Sequence, residues 1–196
     1  MADFILASAS PRRREILANA GFSFDIIPSD ADENIAGDLS DEETVKELAK
    51  RKARYILSRY PGRIVFGCDT VVAVDGKILG KPENDEAAFN MLKMLSGRTH
   101  RVSTGVCIIS EEKEICFCDT TQVTFYQLSD ETVRSYIATG ECSDKAGAYG
   151  IQGYGSVLIK EIKGDYFSVM GLPVAKAARA LGEFGINARV VLSVGK

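Results

Sequence analysis

The sequence predicts an α/β fold built on a mixed sheet, and three observations indicate it. Apolar, strand-like segments alternate with amphipathic, helix-like segments along most of the chain. An Asp75-Gly76 dipeptide within VVAVDGKIL predicts a β-hairpin, which requires antiparallel strands. Two long strand-like segments, at about residues 102–109 and 114–125, follow one another closely. Helix-linked strands and hairpins together favour a mixed sheet with flanking helices.

The first third of the chain alternates strands and helices. FILAS, from Phe4, is predicted to be a buried strand, and the helix after it begins at Pro11 and ends before Gly21. FSFDIIPS alternates like a second strand. Ser40 and Glu43 form a capping box ahead of a helix that extends to about residue 59. IVFGCD is then an apolar strand that we expect to end at its aspartate.

The remaining elements follow the hairpin. A helix is predicted over NDEAAFNMLKML, from Asn84, with acidic residues in its first turn and Gly97 after its end. The two long strands come next. A helix is predicted at about residues 130–139, followed by a Gly-rich loop and two further strands. Pro173 then begins a helix, and ARVVLSV is predicted to be a last strand. Two long irregular loops, at about residues 30–38 and 143–155, are candidates for a functional role.

Composition narrows the class of protein. The chain has 196 residues, of which 45% are hydrophobic, enough for one domain with a substantial core. A net charge of -3 gives no general attraction to nucleic acid or anionic membranes. No apolar run approaches the length of about 20 residues that a membrane helix needs, and the start of the chain does not resemble a signal peptide. We therefore expect a soluble cytoplasmic protein that binds neither nucleic acid nor membrane.

The cysteine and histidine content limits the chemistry further. The five cysteines are odd in number and contain no CxxC pair, so we expect neither a disulfide framework nor a zinc site. His100 is the one histidine, which argues against a Ser-His-Asp triad or several histidine ligands. It is predicted to lie in a strand without a catalytic role. The chemistry is then expected to depend on carboxylates, lysines and arginines.

Three arginines occupy the first turn of the first helix. Ser10 is a favourable N-cap and Pro11 a favourable first residue, which places Arg12, Arg13 and Arg14 at the positive end of the helix dipole. Cations there are unfavourable by about 0.3–1 kcal/mol each. Either an anion, best a phosphate, binds at this end, or the arginines pair with local acids or face solvent.

Lys52 falls on the apolar stripe of the second long helix. At about 100° per residue, Lys52 lies near the middle of the stripe, whose members are Val45, Leu48, Ala49, Ala53 and Ile56. A buried lysine is costly unless it pairs with or binds an anion. The alternative is a lysine that extends from the edge of the stripe to solvent.

A carboxylate and an ammonium are expected to meet at the hairpin. Asp69 is predicted at the carboxyl end of a strand, where ligands bind in α/β sheets. With a two-residue turn, Val74 pairs with Lys77, and the same register carries Lys81 to a position opposite Thr70 and beside Asp69. These residues form either part of a site or a structural ion pair.

Two loops carry further candidate residues. The three glycines of DKAGAYGIQG, residues 144–153, would let backbone approach a ligand, and Gln152 can both donate to and accept from a nucleobase. Such loops are also common as plain turns. Glu33 lies in the acidic SDADEN segment, where its carboxylate could hold Mg²⁺ or simply face water. Together these groups fit phosphoanhydride hydrolysis, but they do not select a substrate.

Six motifs in order resemble the Maf family of nucleoside triphosphate pyrophosphatases. They are SASPRRREIL, CDTVV, GKP, MLSGRTHRV, DKAGAYGIQG and VMGLP, and the similarity extends from about Phe4 to Leu181. The resemblance implies one domain over residues 1–196, with an elongated sheet and two lobes around a cleft, like inosine triphosphatases. It implies cleavage between the α and β phosphates, a divalent cation (Mg²⁺, Mn²⁺ or Co²⁺) and a homodimer. Some members of the family are linked to arrest of septum formation.

The resemblance also suggests a branch and a role for each site residue. Arg12, Thr70 and Gln152 match the branch that prefers dTTP and UTP, and modified pyrimidine triphosphates are further expected substrates. A sister branch that acts on 7-methyl-GTP differs at all three positions. Asp69 is implied to be the base that activates water, and we assign the metal to Glu33 and Asp69. The phosphates would be held by Ser8, Ser10, Arg13, Lys52 and Lys81.

Two other functions compete with this hypothesis. One is a nucleotide-binding regulator of division without turnover, which would not need the full set of charged residues. The other is an inosine or xanthosine triphosphatase, whose purine site would not need Arg12, Thr70 and Gln152. A panel of nucleotides would separate all three functions.

Overall fold

A mixed sheet forms the centre of the protein. The computed structural model describes residues 2–35 and 37–190, and within them seven strands form one sheet in the order β2-β1-β3-β5-β6-β7, with β4 beside β3. The strands are β1 Phe4–Leu6, β2 Phe24–Ile26, β3 Val65–Val74, β4 Lys77–Leu79, β5 Thr99–Ile109, β6 Glu114–Phe125 and β7 Ile159–Lys163. Strand β1 is parallel to β2 and β3, and the other pairs are antiparallel. The predicted α/β class with a mixed sheet is confirmed.

Six α-helices flank the sheet in the described residues. They are α1 Pro11–Asn19, α2 Asp41–Leu57, α3 Asp85–Leu95, α4 Asp130–Ile137, α5 Tyr166–Val169 and α6 Val174–Gly182. Ser10 caps α1, and Ser40 and Glu43 form the predicted capping box on α2. No helix in the described part of the chain is long and apolar enough to cross a membrane.

Strand β3 corrects the prediction that a strand ends at Asp69. Strand β3 continues through Asp69 to Val74, and Asp69 pairs with Gly105 in the middle of β5. The predicted hairpin register is right, since Val74 pairs with Lys77. The parallel neighbour β1 ends at Leu6, so Asp69 lies just beyond the parallel part of the sheet. Sequence could not show this, because one long strand serves both a parallel and an antiparallel partner.

Hydrophobic clusters pack near the two ends of β3. Near its start, Phe66 and Cys68 face a core with α1 and α6, while Val65 on the other face packs under α2. Near its end, Val72 and Val74 join a separate core with α3 and α4. The middle of β3, around Asp69 and Thr70, lies between these two lobes.

Helix α2 lies unusually close to the sheet. A Cβ atom added to Gly67 would be 2.1 Å from the carbonyl oxygen of Ala49, and one added to Gly105 would be 2.2 Å from that of Val45. These distances are far below van der Waals contact, so a residue larger than glycine cannot fit without moving the helix. The two glycines therefore set the distance between α2 and the strands that carry the site.

The second half of the chain departs from prediction in three places. After the Gly-rich loop there is one strand, β7, rather than two, and it is followed by the short helix α5. Residues 188–190 are not a strand, and the rest of the predicted last strand lies outside the described residues. Cys107 and Cys116 form a disulfide, contrary to the expectation from cysteine spacing. They are direct partners across β5 and β6, a pairing that depends on strand register rather than on a CxxC motif.

Candidate active site

A cleft of about 870 Å³ opens between the two lobes. Its volume is in the range of small-molecule sites. Every site residue predicted from the sequence lines it: Ser8, Ser10, Arg12, Arg13, Glu33, Lys52, Asp69, Thr70, Lys81 and Gln152. Residues that are up to 144 positions apart in sequence therefore share one surface.

Lys52 joins two carboxylates at the centre of the cleft. Its Nζ lies 2.6 Å from Asp69 Oδ1 and 2.7 Å from Glu33 Oε1, and its side chain is only 12% exposed. Burial lowers the pKa of Lys52, but attraction to Asp69 and Glu33 outweighs this, and the pKa is raised above its ordinary value. The ammonium therefore stays charged and keeps the two carboxylates together. The inward-facing lysine that the helical periodicity predicts is confirmed.

The loop that carries Glu33 is tied to α2. Arg51, next to Lys52, donates hydrogen bonds to the backbone carbonyls of Asn34 at 2.7 Å and Asp32 at 3.4 Å. The backbone on both sides of Glu33 is therefore held against the helix. Sequence reasoning missed Arg51, because nothing in its spacing relates it to the acidic loop.

Lys81 does not pair with Asp69. Strand β4 ends at Leu79, and Asp69 bonds to Lys52 instead, so the structural ion pair between Asp69 and Lys81 is not formed. Among the described residues, Lys81 has no acidic partner within salt-bridge distance. Its ammonium lines the cleft as an uncompensated positive charge.

Arg13 is the second cation in the cleft without an acidic partner among the described residues. It donates to the carbonyls of Gly171 and Cys68, both at 2.9 Å, to Ser8 Oγ at 3.1 Å and to Thr70 Oγ1 at 3.0 Å. All four acceptors are neutral, so its charge is oriented but not neutralised. A fixed guanidinium of this kind attracts an anion into the cleft.

The other two arginines of α1 behave differently. Arg12 lies 3.8 Å from Asp144 across the cleft mouth, and Arg14 is exposed and outside the cleft lining. The predicted alternatives for the three arginines thus divide: Arg12 contacts an acid, Arg14 faces solvent, and Arg13 binds neutral groups of the protein. Ser8 Oγ and Ser10 Oγ accept backbone N–H bonds, which leaves each hydroxyl proton free to donate to a ligand.

The hydroxyl of Thr70 is held in one orientation. Thr104 donates its proton to the carbonyl of Ser168 at 2.8 Å, so it must accept in its 2.9 Å bond with Thr70. Thr70 also accepts from Arg13. Thr70, which lines the cleft, therefore has no hydroxyl proton left to donate and can act toward a ligand only as an acceptor.

The glycines of the Gly-rich loop lie against other parts of the protein, which fill the space that a side chain would take. A Cβ atom at Gly147 would meet Val72 at 2.9 Å, and one at Gly153 would meet the carboxylate of Glu141 at 2.2 Å. Gln152, between them, is an exposed residue of the cleft lining. Backbone bonding ties the loop to the hairpin as well, since Gly147 N donates to the carbonyl of Gly80 at 3.0 Å.

Three charged residues of the lining were missed by sequence reasoning. Glu141, Asp144 and Lys145 precede or begin the DKAGAYGIQG motif and also line the cleft. Lys145 donates to Asp144 Oδ1 at 2.7 Å and also to the carbonyl of Glu141. Their adjacency to the glycines was visible in the sequence, but their side-chain partners were not.

His100 takes no part in the cleft. It is 2% exposed, and its Nε2 lies 2.7 Å from the hydroxyl of Tyr149. Its Nδ1 has no partner among the described residues. Burial lowers the pKa of His100 to about 4, so the ring is neutral at physiological pH. The prediction that it lies in a strand without a catalytic role fits this position.

The carboxylates of Glu33 and Asp69 suit a hard divalent cation. Each bonds to the Lys52 ammonium through one oxygen, and among the described residues no protein group donates to the other oxygen, Asp69 Oδ2 or Glu33 Oε2. Magnesium is commonly held by one or two carboxylates, with waters and substrate phosphates completing its shell. The donor set therefore fits such an ion.

The chain belongs to the Maf family. The family model for Maf-like protein matches residues 3–184. The fold, with its mixed sheet and cleft, agrees with the resemblance carried by the six motifs.

Curated relatives in bacilli cover nearly all of the chain, and they carry the name dTTP/UTP pyrophosphatase. A protein of Bacillus velezensis is 51% identical over 184 residues, which are 94% of this chain and 97% of the relative. One of Bacillus pumilus is 51% identical over 187 residues, covering 95% and 99%. One of Bacillus cereus is 46% identical over 187 residues, covering 95% and 98%.

Proposed function

We propose that the protein hydrolyses dTTP and UTP, and modified pyrimidine triphosphates, to the monophosphate and pyrophosphate. The observation that carries the proposal is the juxtaposition, in one cleft, of the Asp69–Lys52–Glu33 group with two cations, Arg13 and Lys81, that lack acidic partners among the described residues. Similarity to relatives named for this activity supports it. We further propose that the protein acts in the cytoplasm and forms a homodimer, as the family resemblance implies.

The phosphates would be bound by groups that are already oriented. Arg13 and Lys81 offer charge, and Ser8 and Ser10 offer hydroxyl donors at the start of α1. These groups would stabilise the negative charge that develops on the departing pyrophosphate. Lys52 would contribute to the same end while it holds Asp69 in place.

Asp69 would orient the attacking water and accept its proton. Its Oδ1 is fixed by Lys52, its side chain is 13% exposed, and the residue lines the cleft. A divalent cation held by Glu33 and Asp69 would lower the pKa of water and polarise the phosphate oxygens. Mg²⁺, Mn²⁺ and Co²⁺ all suit oxygen ligands of this kind.

Arg12, Thr70 and Gln152 would read the pyrimidine. Thr70 presents an acceptor, which matches the N3–H of thymine or uracil, whereas cytosine lacks that hydrogen. The Gln152 amide can donate to a ring carbonyl and accept from an N–H. A site that forms hydrogen bonds to one base rejects an analogue that leaves those groups unpaired.

The test is pyrophosphate release with Mg²⁺ or Mn²⁺ from dTTP, UTP, CTP, GTP, ITP and 7-methyl-GTP. We expect dTTP and UTP to react fastest, and Asp69→Asn to lose at least about 100-fold in kcat while it still binds them. Asp75→Asn is the matched control, because Asp75 lies at the hairpin turn and, in the described part of the chain, its side chain bonds only to Arg98 on the surface. It should retain wild-type turnover.

Other results would select a competing function. Fastest release from ITP or GTP would indicate the purine triphosphatase. Binding of nucleotides without pyrophosphate release from any of them would indicate the non-catalytic regulator, and the proposed hydrolase would be wrong.

A further inference from the structure

The carboxylate of Glu141, a residue of the cleft lining, accepts hydrogen bonds from the backbone that follows Gln152. Its Oε2 accepts from the backbone N–H of Tyr154 at 2.8 Å, and its Oε1 accepts from the N–H of Gly155 at 3.1 Å. These two N–H groups belong to the first turn of the 3₁₀ helix Gly153–Leu158. Gln152 is the residue immediately before that helix. Glu141 therefore holds the chain directly after Gln152.

Tyr136 holds the chain on the other side of Gln152. Its hydroxyl donates to Glu141 Oε1 at 3.0 Å and accepts from the N–H of Gly150 at 3.0 Å. Tyr136 is 4% exposed, and its ring belongs to the core with α3 and α4. Burial, and then the nearby Glu141 carboxylate, raise the pKa of Tyr136 well above its ordinary value, so the hydroxyl keeps its proton. The loop is thereby bonded to a rigid helix.

The glycines around Gln152 match this arrangement. A Cβ atom at Gly153 would lie 2.2 Å from Glu141 Oε2, and one at Gly155 would lie 3.0 Å from the Tyr136 hydroxyl. A Cβ atom at Gly150 would lie 3.1 Å from Glu141 Oε1. At Gly153 a side chain would displace the Glu141 carboxylate, whereas at Gly155 the nearest obstacle is the carbonyl oxygen of Gly150 at 2.2 Å.

We propose that Glu141, together with Tyr136, is a positioning residue that fixes Gln152 in the cleft and so sets the base selectivity of the enzyme. The proposal rests on the proposed function, because it takes Gln152 as a residue that reads the pyrimidine. Among the described residues, those proposed to bind the phosphates and the metal take no part in the hydrogen bonds of the Glu141–Tyr136 pair. The pair should therefore affect recognition of the base more than the chemical step.

The experiment is a double-mutant cycle on the full-length protein. Wild type, Glu141→Gln, Gln152→Ala and the double variant are compared by kcat/KM for dTTP and for CTP. In Glu141→Gln an amide N–H would face a backbone N–H donor, which displaces the loop. We expect the dTTP-to-CTP ratio to fall by about tenfold in each single variant, mainly through KM, and kcat for dTTP in Glu141→Gln to stay within about threefold of wild type.

The double variant gives the decisive measurement. If Glu141 acts through Gln152, adding Glu141→Gln to Gln152→Ala should change the selectivity ratio no further. Tyr136→Phe removes a single hydroxyl and should shift the selectivity ratio in the same direction. It replaces Glu141→Gln in the experiment if that variant does not fold. Glu131→Gln, the same change on the exposed surface of α4, should leave the ratio unchanged.

Three results would overturn the inference. They are equal losses for dTTP and CTP in Glu141→Gln, additive changes in the double variant, and a normal selectivity ratio in Gln152→Ala. A wild-type protein that releases pyrophosphate from no nucleotide would instead refute the proposed function, and the inference would fall with it.

Discussion

At the scale of single residues, His100 gives the clearest link between burial and pH. Its ring is packed edge-on against Phe125 and Tyr149, and no carboxylate of the described residues bonds to it. Protonation would place a charge in this apolar environment, which explains why burial lowers the pKa to about 4. In the unfolded chain the same ring has a pKa of about 6.5.

This difference predicts a loss of stability on the acid side. Because the folded pKa is the lower one, the unfolded state binds more protons between pH 6.5 and about 4, and stability falls as pH falls through that window. The contribution of His100 is about 3 kcal/mol. In urea titrations across this range, wild type should lose about that much more than His100→Gln, which cannot titrate. Parallel pH profiles for the two proteins would contradict the assignment.

Lys52 and Asp69 mark what residue-level reasoning could and could not reach. The helical period alone predicted that Lys52 lies on the buried face of α2. The structure agrees, because every apolar member of the predicted stripe is buried. The partner of Asp69 was beyond reach, because the hairpin register predicted Lys81 beside it and the structure gives Lys52. Only the distance between α2 and the sheet decides between them, and side-chain patterns do not encode that distance.

At the scale of elements, the close approach of α2 to β3 and β5 brings Lys52 within bonding distance of Asp69. Gly105 is the direct strand partner of Asp69, and the helix backbone passes over it at Val45. A side chain at Gly105 must push the helix away at the level of the site. The glycine therefore helps to set the geometry of the proposed catalytic residues.

Gly105→Ala should therefore impair activity beyond its effect on stability. Overpacking of this kind destabilises by about 1–3 kcal/mol, and the displaced helix lengthens the Lys52–Asp69 contact of 2.6 Å. Ile56→Val is the matched control, because Ile56 is a buried residue of α2 itself, 1% exposed, and its truncation costs about 1 kcal/mol without pushing the helix outward. Pyrophosphate release and urea unfolding would be measured for both. Equal activity in the two folded variants would contradict the role of the close approach.

Element prediction worked where local signals were strong and failed where tertiary context decided. The capping box of α2 and the Asp75-Gly76 turn gave the helix start and the hairpin register as observed. Strand β3 was divided at Asp69 because the change from apolar to polar residues resembles a strand end. The Gly-rich loop resembled a ligand-binding loop, yet its glycines accommodate Glu141 and Val72. Such packing partners cannot be read from one segment alone.

At the scale of the whole molecule, the two lobes share their main strands. Strand β3 carries Phe66 in one core and Val72 in another, and β5 likewise carries Val106 and Val102. The cleft lies where these strands pass from one core to the other. Because the same continuous backbone ladder stabilises both cores, neither lobe has an independent set of strands. This arrangement predicts a single cooperative unit rather than two separable domains.

Cooperativity can be tested with one reporter in each lobe, because the chain has no tryptophan. The reporters are Tyr60→Trp, just after α2, and Tyr126→Trp, just after β6. Both substitutions should be tolerated, because these tyrosines are 40% and 53% exposed. In urea, the fluorescence of each variant and its far-UV circular dichroism should give one coincident transition, with the same midpoint and slope. Two separated midpoints, one for each reporter, would show that the lobes unfold independently. The cleft would then join two domains, and the long strands would not couple them.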